Sequence, residues 1–471
     1  MFWRLSPLYK HTASNWGPNS TLIQLSPPRL VLRDATELDI ITTVESSATG
    51  VQISPNDSAL VLATGSNPTL YNGQELSLLA NLNFEPKSVS SFHWSPTSDH
   101  LLAVSAFHLH ITVFPRLLSG SGEQFVIKGP KGKDASTLSF RPDGQHLAVL
   151  ERHNSRDYVG IYDCTLWKPL SHFQLFAKSD YTSIDYSPCG SYILLSSSPL
   201  HYMVALYSPD GRLLSSHDPE ITAEEDKTTA IHMTVGLRVS AWHPTSEWIV
   251  LGSWDNRIQI LNRRSFLSTF EFTLPTRVVD NTVQGYSEPK DWMKNTHGKG
   301  VIDFDPISLP ITIFSKRPEL SETQDPASFG IKTILWSPKN MEKTIYIFDF
   351  QYPNLDNASN TFITAPRLRS VLVFIQPVKK LLWRPIPPQK LNSLNRIELL
   401  YRSDMLTIVT GERSFYVWSP EGVRTVGVPA SKSHSVEFTS QDMEWDSQGL
   451  HLLLKCPSFW SVAHVHEEEE S

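Results

Sequence analysis

Cysteine is scarce. Only Cys164, Cys189 and Cys456 occur in 471 residues, far apart and odd in number. That excludes a disulfide framework, and with no C-x-x-C pair it excludes a zinc ribbon; a reducing compartment is expected. No run of ~18 apolar residues is present, as a membrane helix requires, and Met1 to Pro7 lacks the apolar stretch of a signal peptide. A soluble protein of the cell interior is expected. Charge of neither sign dominates: 41 Lys and Arg face 48 Asp and Glu, a net charge of −7, which argues against coating nucleic acid through bulk basicity. Nucleophile elbow, phosphate loop, H-E-x-x-H helix and dinucleotide glycine fingerprint are all missing. Accordingly no enzymatic activity, catalytic residue, cofactor or metal site is expected.

Apolar surface is plentiful. Hydrophobic residues make up 40%, including 13 Trp, 22 Phe and 14 Tyr, enough for a large core and against wholesale disorder. The 33 prolines outnumber the 22 glycines, which suits short strands and turns and would interrupt long helices.

The chain repeats. An aromatic or apolar residue, often Ser, then Pro and turn residues precede a new apolar run at Ile53-Ser54-Pro55, Trp94-Ser95-Pro96, Phe140-Arg141-Pro142-Asp143-Gly144, Tyr186-Ser187-Pro188-Cys189-Gly190, Trp242-His243-Pro244 and Trp336-Ser337-Pro338. Weaker copies are Trp16-Gly17-Pro18, Trp383-Arg384-Pro385 and Trp445-Asp446-Ser447. The nine copies stand 37, 41, 46, 46, 56, 94, 47 and 62 residues apart, mostly near the ~40 to 45 of a four-stranded propeller blade. Pro presets the first corner of a tight turn and Asp-Gly completes it, so each copy predicts a hairpin. His146 to Leu150 and Tyr158 to Asp163 read as two strands joined by a polar turn from Arg152 to Asp157. One small sheet cannot bury both faces alone, so the sheets must stack into an all-β propeller.

The units resemble degenerate WD repeats: Arg33-Asp34 and Tyr162-Asp163 occupy the dipeptide position, while the usual Gly-His pair is missing from most copies. Leu30 to Asp34, Phe107 to Val113, Leu150-Glu151-Arg152 with Asp157-Tyr158-Val159, and Leu206 to Leu214 resemble the WD-repeat protein eight family of centrosome and spindle-pole-body proteins. The likeness runs from about residue 16 to residue 460 and is weakest between Lys339 and Pro366. It implies a non-enzymatic scaffold in the cytoplasm and cytoskeleton, at the centrosome or spindle pole body. Such a scaffold helps anchor microtubule minus ends and organise the mitotic spindle, through a coiled-coil microtubule-anchoring protein and a minus-end-directed kinesin. An RNA- or ribosome-associated propeller resembling those of translation-initiation factors is the second reading; membrane association is not expected.

For the architecture, residues 1–466 are expected to form one closed ring of eight or nine blades, with seven blades and appended strands as the alternative. Residues 3–10 would supply the outer strand that the last unit lacks. Residues 276–330 read as a proline-rich insertion that docks a partner or covers a blade edge, and the acidic 467–471 as a solvated tail.

Candidate contacts lie on the turns between second and third strands of successive blades, which a propeller gathers on one rim: Phe107-His108, Arg152 to Asp157 and Ser253 to Asn256. Arg152, Arg156 and Trp254 on this rim and Trp292 in the insertion are the candidate protein-binding residues, Trp and Arg being frequent interface hot spots. His108 and His110 are expected on one strand face as structural or surface residues, and Cys164 and Cys189 as small buried hydrophobes. Lys128-Gly129-Pro130-Lys131-Gly132-Lys133 reads as a solvated basic loop, with phosphate contact as the other possibility.

Overall fold

The computed structural model describes residues 2–55, 60–64, 68–82, 89–115, 123–132, 135–176, 180–197, 201–218, 236–254, 257–273, 277–278, 284–287, 289, 292–296, 300–307, 311–312, 331, 334, 336, 346–349, 361–364, 371–374, 380–384, 405–419, 422–428 and 438–466. Within these residues the chain forms nine sheets of four or five strands, with one further two-stranded pair. It divides into two compact units, residues 83–274 with 329–334, and residues 1–82 with 275–328 and 335–471.

The first of these units holds four meanders. Each is a run of four neighbouring antiparallel strands: Val89–Trp94 to Phe125–Lys128, Leu138–Phe140 to Lys168–Gln174, Tyr181–Tyr186 to Leu213–His217, and Leu237–Trp242 to Ser268–Thr273. Middle strands such as Leu101–Ser105 and Ile193–Ser197 are buried at every position, because both faces of each sheet are covered. In the second meander Leu147, Val149 and Tyr162 face Leu102, Val104, Ile111 and Val113 of the sheet before. Ala148, Leu150, Val159 and Ile161 face Tyr181, Ile184, Ile193 and Leu195 of the sheet after. Each such aliphatic side chain contributes about 1.5 to 3 kcal/mol on burial.

The other unit stacks its sheets in the same way, Ile23, Leu25, Leu30 and Leu32 against Val51, Val61, Ala63 and Tyr71. Its terminal sheet joins the two ends of the chain: Phe2–Leu5 and Tyr9–Lys10 pair antiparallel with Phe459–His466, which continues through His451–Lys455 to Asp442–Trp445. Trp3 packs edge-on against Phe415 and Tyr9 stacks on Trp460, with ring centroids 5.2 Å and 4.4 Å apart.

The sequence repeat is a single corner. In Arg141 to Gly144 the Gly144 N–H donates to the Arg141 carbonyl (2.8 Å) and the Arg141 N–H to the His146 carbonyl (2.8 Å). Ser95, Ser187, His243 and Asp446 repeat both bonds, and the residue three positions on always has positive φ: Ser98 64°, Gly144 71°, Gly190 71°, Ser246 62° and Gly449 66°. This is a type I turn closed by a left-handed residue, which explains both the proline at the second position and the preference for glycine at the fourth. Ser95 and Ser187 add a side-chain bond, their hydroxyls accepting the N–H five residues on at 3.0 and 3.1 Å. A second corner follows the third strand: Asp34, Asn72, Asp163 and Asn262 accept the N–H two residues later, and Leu38, Leu76, Trp167 and Phe266 two residues further on are buried at positive φ.

Residues 276–330 do not stand apart as an insertion where they are described. Val301–Asp303 forms the outer strand beside Gly422–Gly427, and Gln284–Ser287 pairs with both Asp305–Ile307 and Thr361–Thr364. In the segment where the family likeness is weakest, Tyr346–Asp349 lies parallel to Val371–Phe374, a departure from the antiparallel pattern. The acidic run Glu467 to Glu470 and all of residues 313–330 lie outside the described residues.

Candidate functional site

The rim of the 83–274 unit is built from turns between second and third strands. His146–His153 and Arg156–Asp163 extend further than the sequence reading allowed, so that Arg152 and Asp157 are cross-strand partners and only Asn154 and Ser155 turn, at φ 49° and 60°. Two successive left-handed residues give the primed turn whose twist matches the strands, and Asn tolerates it well. In the preceding sheet Phe107 and His108 occupy the corresponding turn at φ 64° and 55°. His108 therefore does not share a strand face with His110, which opens the next strand. The two turns are tied through Gly129, whose N–H donates to the Leu109 carbonyl (3.0 Å) and whose carbonyl accepts the Arg152 N–H (2.9 Å).

Behind this rim lies an ion cluster. Lys131 Nζ is 2.6 Å from Asp157 Oδ2 and 2.7 Å from Asp180 Oδ1, and it also donates to the Tyr181 carbonyl. Arg152 Nε donates to Asp157 Oδ1 at 2.8 Å while its terminal nitrogen bonds Asp180. The Lys131 hydrogen bond, with the Arg152 bond, holds the Asp180 carboxyl below its ordinary range against the opposing effect of burial. The Lys131 side chain is only 9% exposed, so the basic loop is not the uniformly solvated patch expected; Lys133 lies outside the described residues.

The predicted contact residues fare differently. Arg152, its side chain 45% exposed, pairs with Asp157 and Asp180, and Arg156 is exposed beside the hairpin turn. Trp254 is half-buried beneath Arg238, whose guanidinium carbon lies 4.3 Å from the ring centroid, a cation–π pair within the chain. Asp255 and Asn256 beside it lie outside the described residues. Trp292 starts a single helical turn and is 7% exposed, so its ring does not face solvent. Phe107, by contrast, is 87% exposed, and Leu109 beside it is also open.

Cys164 is buried and its thiol is pushed up to about 12 by desolvation. Cys189 is exposed, contrary to the expected buried role: desolvation, the largest single effect, raises its thiol, but hydrogen bonds with Ser187, Ser191 and Ser246 together outweigh it and bring it to about 7. One set of side chains has metal-ligand geometry among the described residues, Glu151, His153 and His172. Sequence reasoning missed it because His172 is distant in sequence; Glu-x-His on one strand was the available signal.

Residues 227–262 match the family model described as WD domain, G-beta repeat. With the stacked four-stranded sheets, this match gives the all-β chain the fold class of a WD β-propeller. Among known proteins it is similar to the WD repeat-containing protein WRAP73 of Mus musculus, 28% identical over 394 residues, covering 80% of this chain and 76% of that one. Among solved structures it is similar to the C-terminal WD40 domain of Sif2, with 10% identity, coverage of 98% and 99% of the two chains, and a TM-score of 0.46.

Proposed function

We propose that the chain is a non-catalytic scaffold of the centrosome or spindle pole body. It would help to anchor microtubule minus ends and organise the mitotic spindle by holding a coiled-coil partner and, through it, a minus-end-directed motor. The scaffold class is supported by the WD repeats and stacked sheets; the cellular role is supported by the family likeness of Leu30 to Asp34, Phe107 to Val113 and Leu206 to Leu214.

The observation that carries the binding role is Phe107, a large aromatic side chain 87% exposed on a turn with φ 64°. A non-glycine residue in this conformation costs roughly 1 to 2 kcal/mol, and an exposed phenyl ring recovers none of it in the free protein. A partner that buries the ring does recover it. Exposed Leu109 lies two residues further on, and exposed Arg156 follows the corresponding turn of the next sheet, so an aromatic, an aliphatic and a cationic side chain are open to a partner on these two turns. In the basic loop that motivates the ribosome-associated reading, Lys131 is held in ion pairs with Asp157 and Asp180, while Lys128 is exposed.

The test is imaging of the tagged protein at native expression in dividing cells. Concentration at the spindle poles is expected; an even spread through mitosis contradicts the proposal.

A further inference from the structure

We infer that Glu151, His153 and His172 form a binding site for a divalent transition cation, with Zn2+ the natural occupant. His153 Nε2 lies 2.8 Å and His172 Nε2 3.0 Å from the same oxygen, Oε2 of Glu151. The three prospective donor atoms lie within 4.8 Å of one another. Two imidazoles and one carboxylate are a donor set that zinc accepts, leaving its fourth position to water.

The surroundings hold the carboxylate for this purpose. Glu151 is buried, and its other oxygen, Oε1, accepts the hydroxyl of Tyr162 at 2.6 Å, so the oxygen left to a cation is Oε2. Such an outer hydrogen bond orients a ligand and tunes its basicity. Gly160, opposite His172 in the ladder, makes the space: a Cβ there would come within 2.3 Å of Oε1. Gly129 does the same for His153, a Cβ falling 2.6 Å from its Cε1. The ring of His172 stacks on Tyr158, with centroids 5.1 Å apart.

Zinc bonds of ~2.0 to 2.1 Å at tetrahedral angles separate donor atoms by about 3.3 Å. The two nitrogens must therefore move a few tenths of an ångström from Oε2. The histidine side chains, 37% and 42% exposed, are free to do so while Glu151, at 2%, stays fixed. Each imidazole binds through the Nε2 lone pair with its proton on Nδ1, so no co-reactant is needed. The partial exposure of both rings provides the route by which the ion enters.

The experiment uses the full chain freed of metal with chelator, then dialysed against Zn2+ and, separately, Co2+. About one equivalent of zinc by elemental analysis, and the intense visible absorption of tetrahedral cobalt, are the expected results. His172→Ala, on the outer strand where folding is least at risk, should weaken uptake at least about tenfold, and Tyr162→Phe about 10- to 100-fold. His108→Ala should leave uptake unchanged. No retained zinc in the wild-type chain, cobalt absorption of six-coordinate type, or equal uptake by folded His172→Ala would overturn the inference.

Discussion

Lys131 Nζ and Asp157 Oδ2 lie 2.6 Å apart with both side chains more than nine-tenths buried. The pair is shared, because Asp157 also accepts from Arg152 Nε and from the N–H of Tyr181, at 2.8 and 3.3 Å. It thus joins the basic loop, the rim hairpin and the next sheet in one unit.

Breaking it should be costly. Asp157→Ala leaves the Lys131 ammonium buried beside Asp180 alone and should destabilise the unit by about 3 to 5 kcal/mol. Replacing both residues, Lys131→Met with Asp157→Leu, should recover much of the loss because no buried charge is left unpaired. Urea unfolding of the single and double variants measures this; a single variant within ~0.5 kcal/mol of wild type would contradict the assigned role.

Phe107→Asp should leave unfolding unchanged to within ~0.5 kcal/mol, since the ring touches little in the free protein. Partner capture from mitotic extract should fall by at least about tenfold, as for a hot-spot residue worth ~2 kcal/mol or more. Arg156→Glu should act in the same direction with a smaller effect. Undiminished capture by Phe107→Asp would move the interface elsewhere.

Alkylation separates the thiols. Cys189, at about 7, should react with iodoacetamide near neutral pH with a rate rising through that value, while Cys164, at about 12, should stay protected in the folded chain. Ser187→Ala removes one of the bonds that favour the thiolate and should shift the Cys189 profile upward. Peptide mapping after timed labelling reads both sites, and equal rates at the two cysteines would refute the assignment.

Asp185 gives a stability slope of known sign. Burial pushes its carboxyl up to about 6, so between pH ~4 and ~6 the folded chain holds a proton that the unfolded chain has released, and stability falls as pH rises. Asp185→Asn should remove that slope and stabilise the protein by up to about 3 kcal/mol at pH 7, with little difference near pH 4. Parallel unfolding curves at both pH values in the two proteins would contradict the buried ionisation.

Much of the fold was legible because the same corner recurs. Proline at Pro96, Pro142, Pro188 and Pro244 fixes one turn angle, and Gly144 and Gly190 mark the left-handed residue that closes it. The second corner was read only at Asp34 and Asp163. At Asn72 and Asn262 the amide performs the same capping, but four residues on Leu76 and Phe266 take a left-handed conformation that side-chain type does not announce. There the cost of the backbone is offset by burial, a tertiary effect.

The rim was legible in outline and not in detail. The strand–turn–strand pattern that follows each repeated corner located the Phe107 and Arg152 turns, but which charge would be paired depended on Asp180, just before the first strand of the next sheet. Likewise, side-chain type alone does not announce that Phe107 is exposed and Trp292 buried.

The most direct measurement is affinity purification of the native-level tagged protein from mitotic cells, with Phe107→Asp alongside, followed by identification of the captured proteins. A coiled-coil microtubule-anchoring protein together with a minus-end-directed kinesin, retained by wild type and lost from the variant, is the predicted result. Capture of ribosomal subunits instead, released by raised salt and indifferent to Phe107, would contradict it.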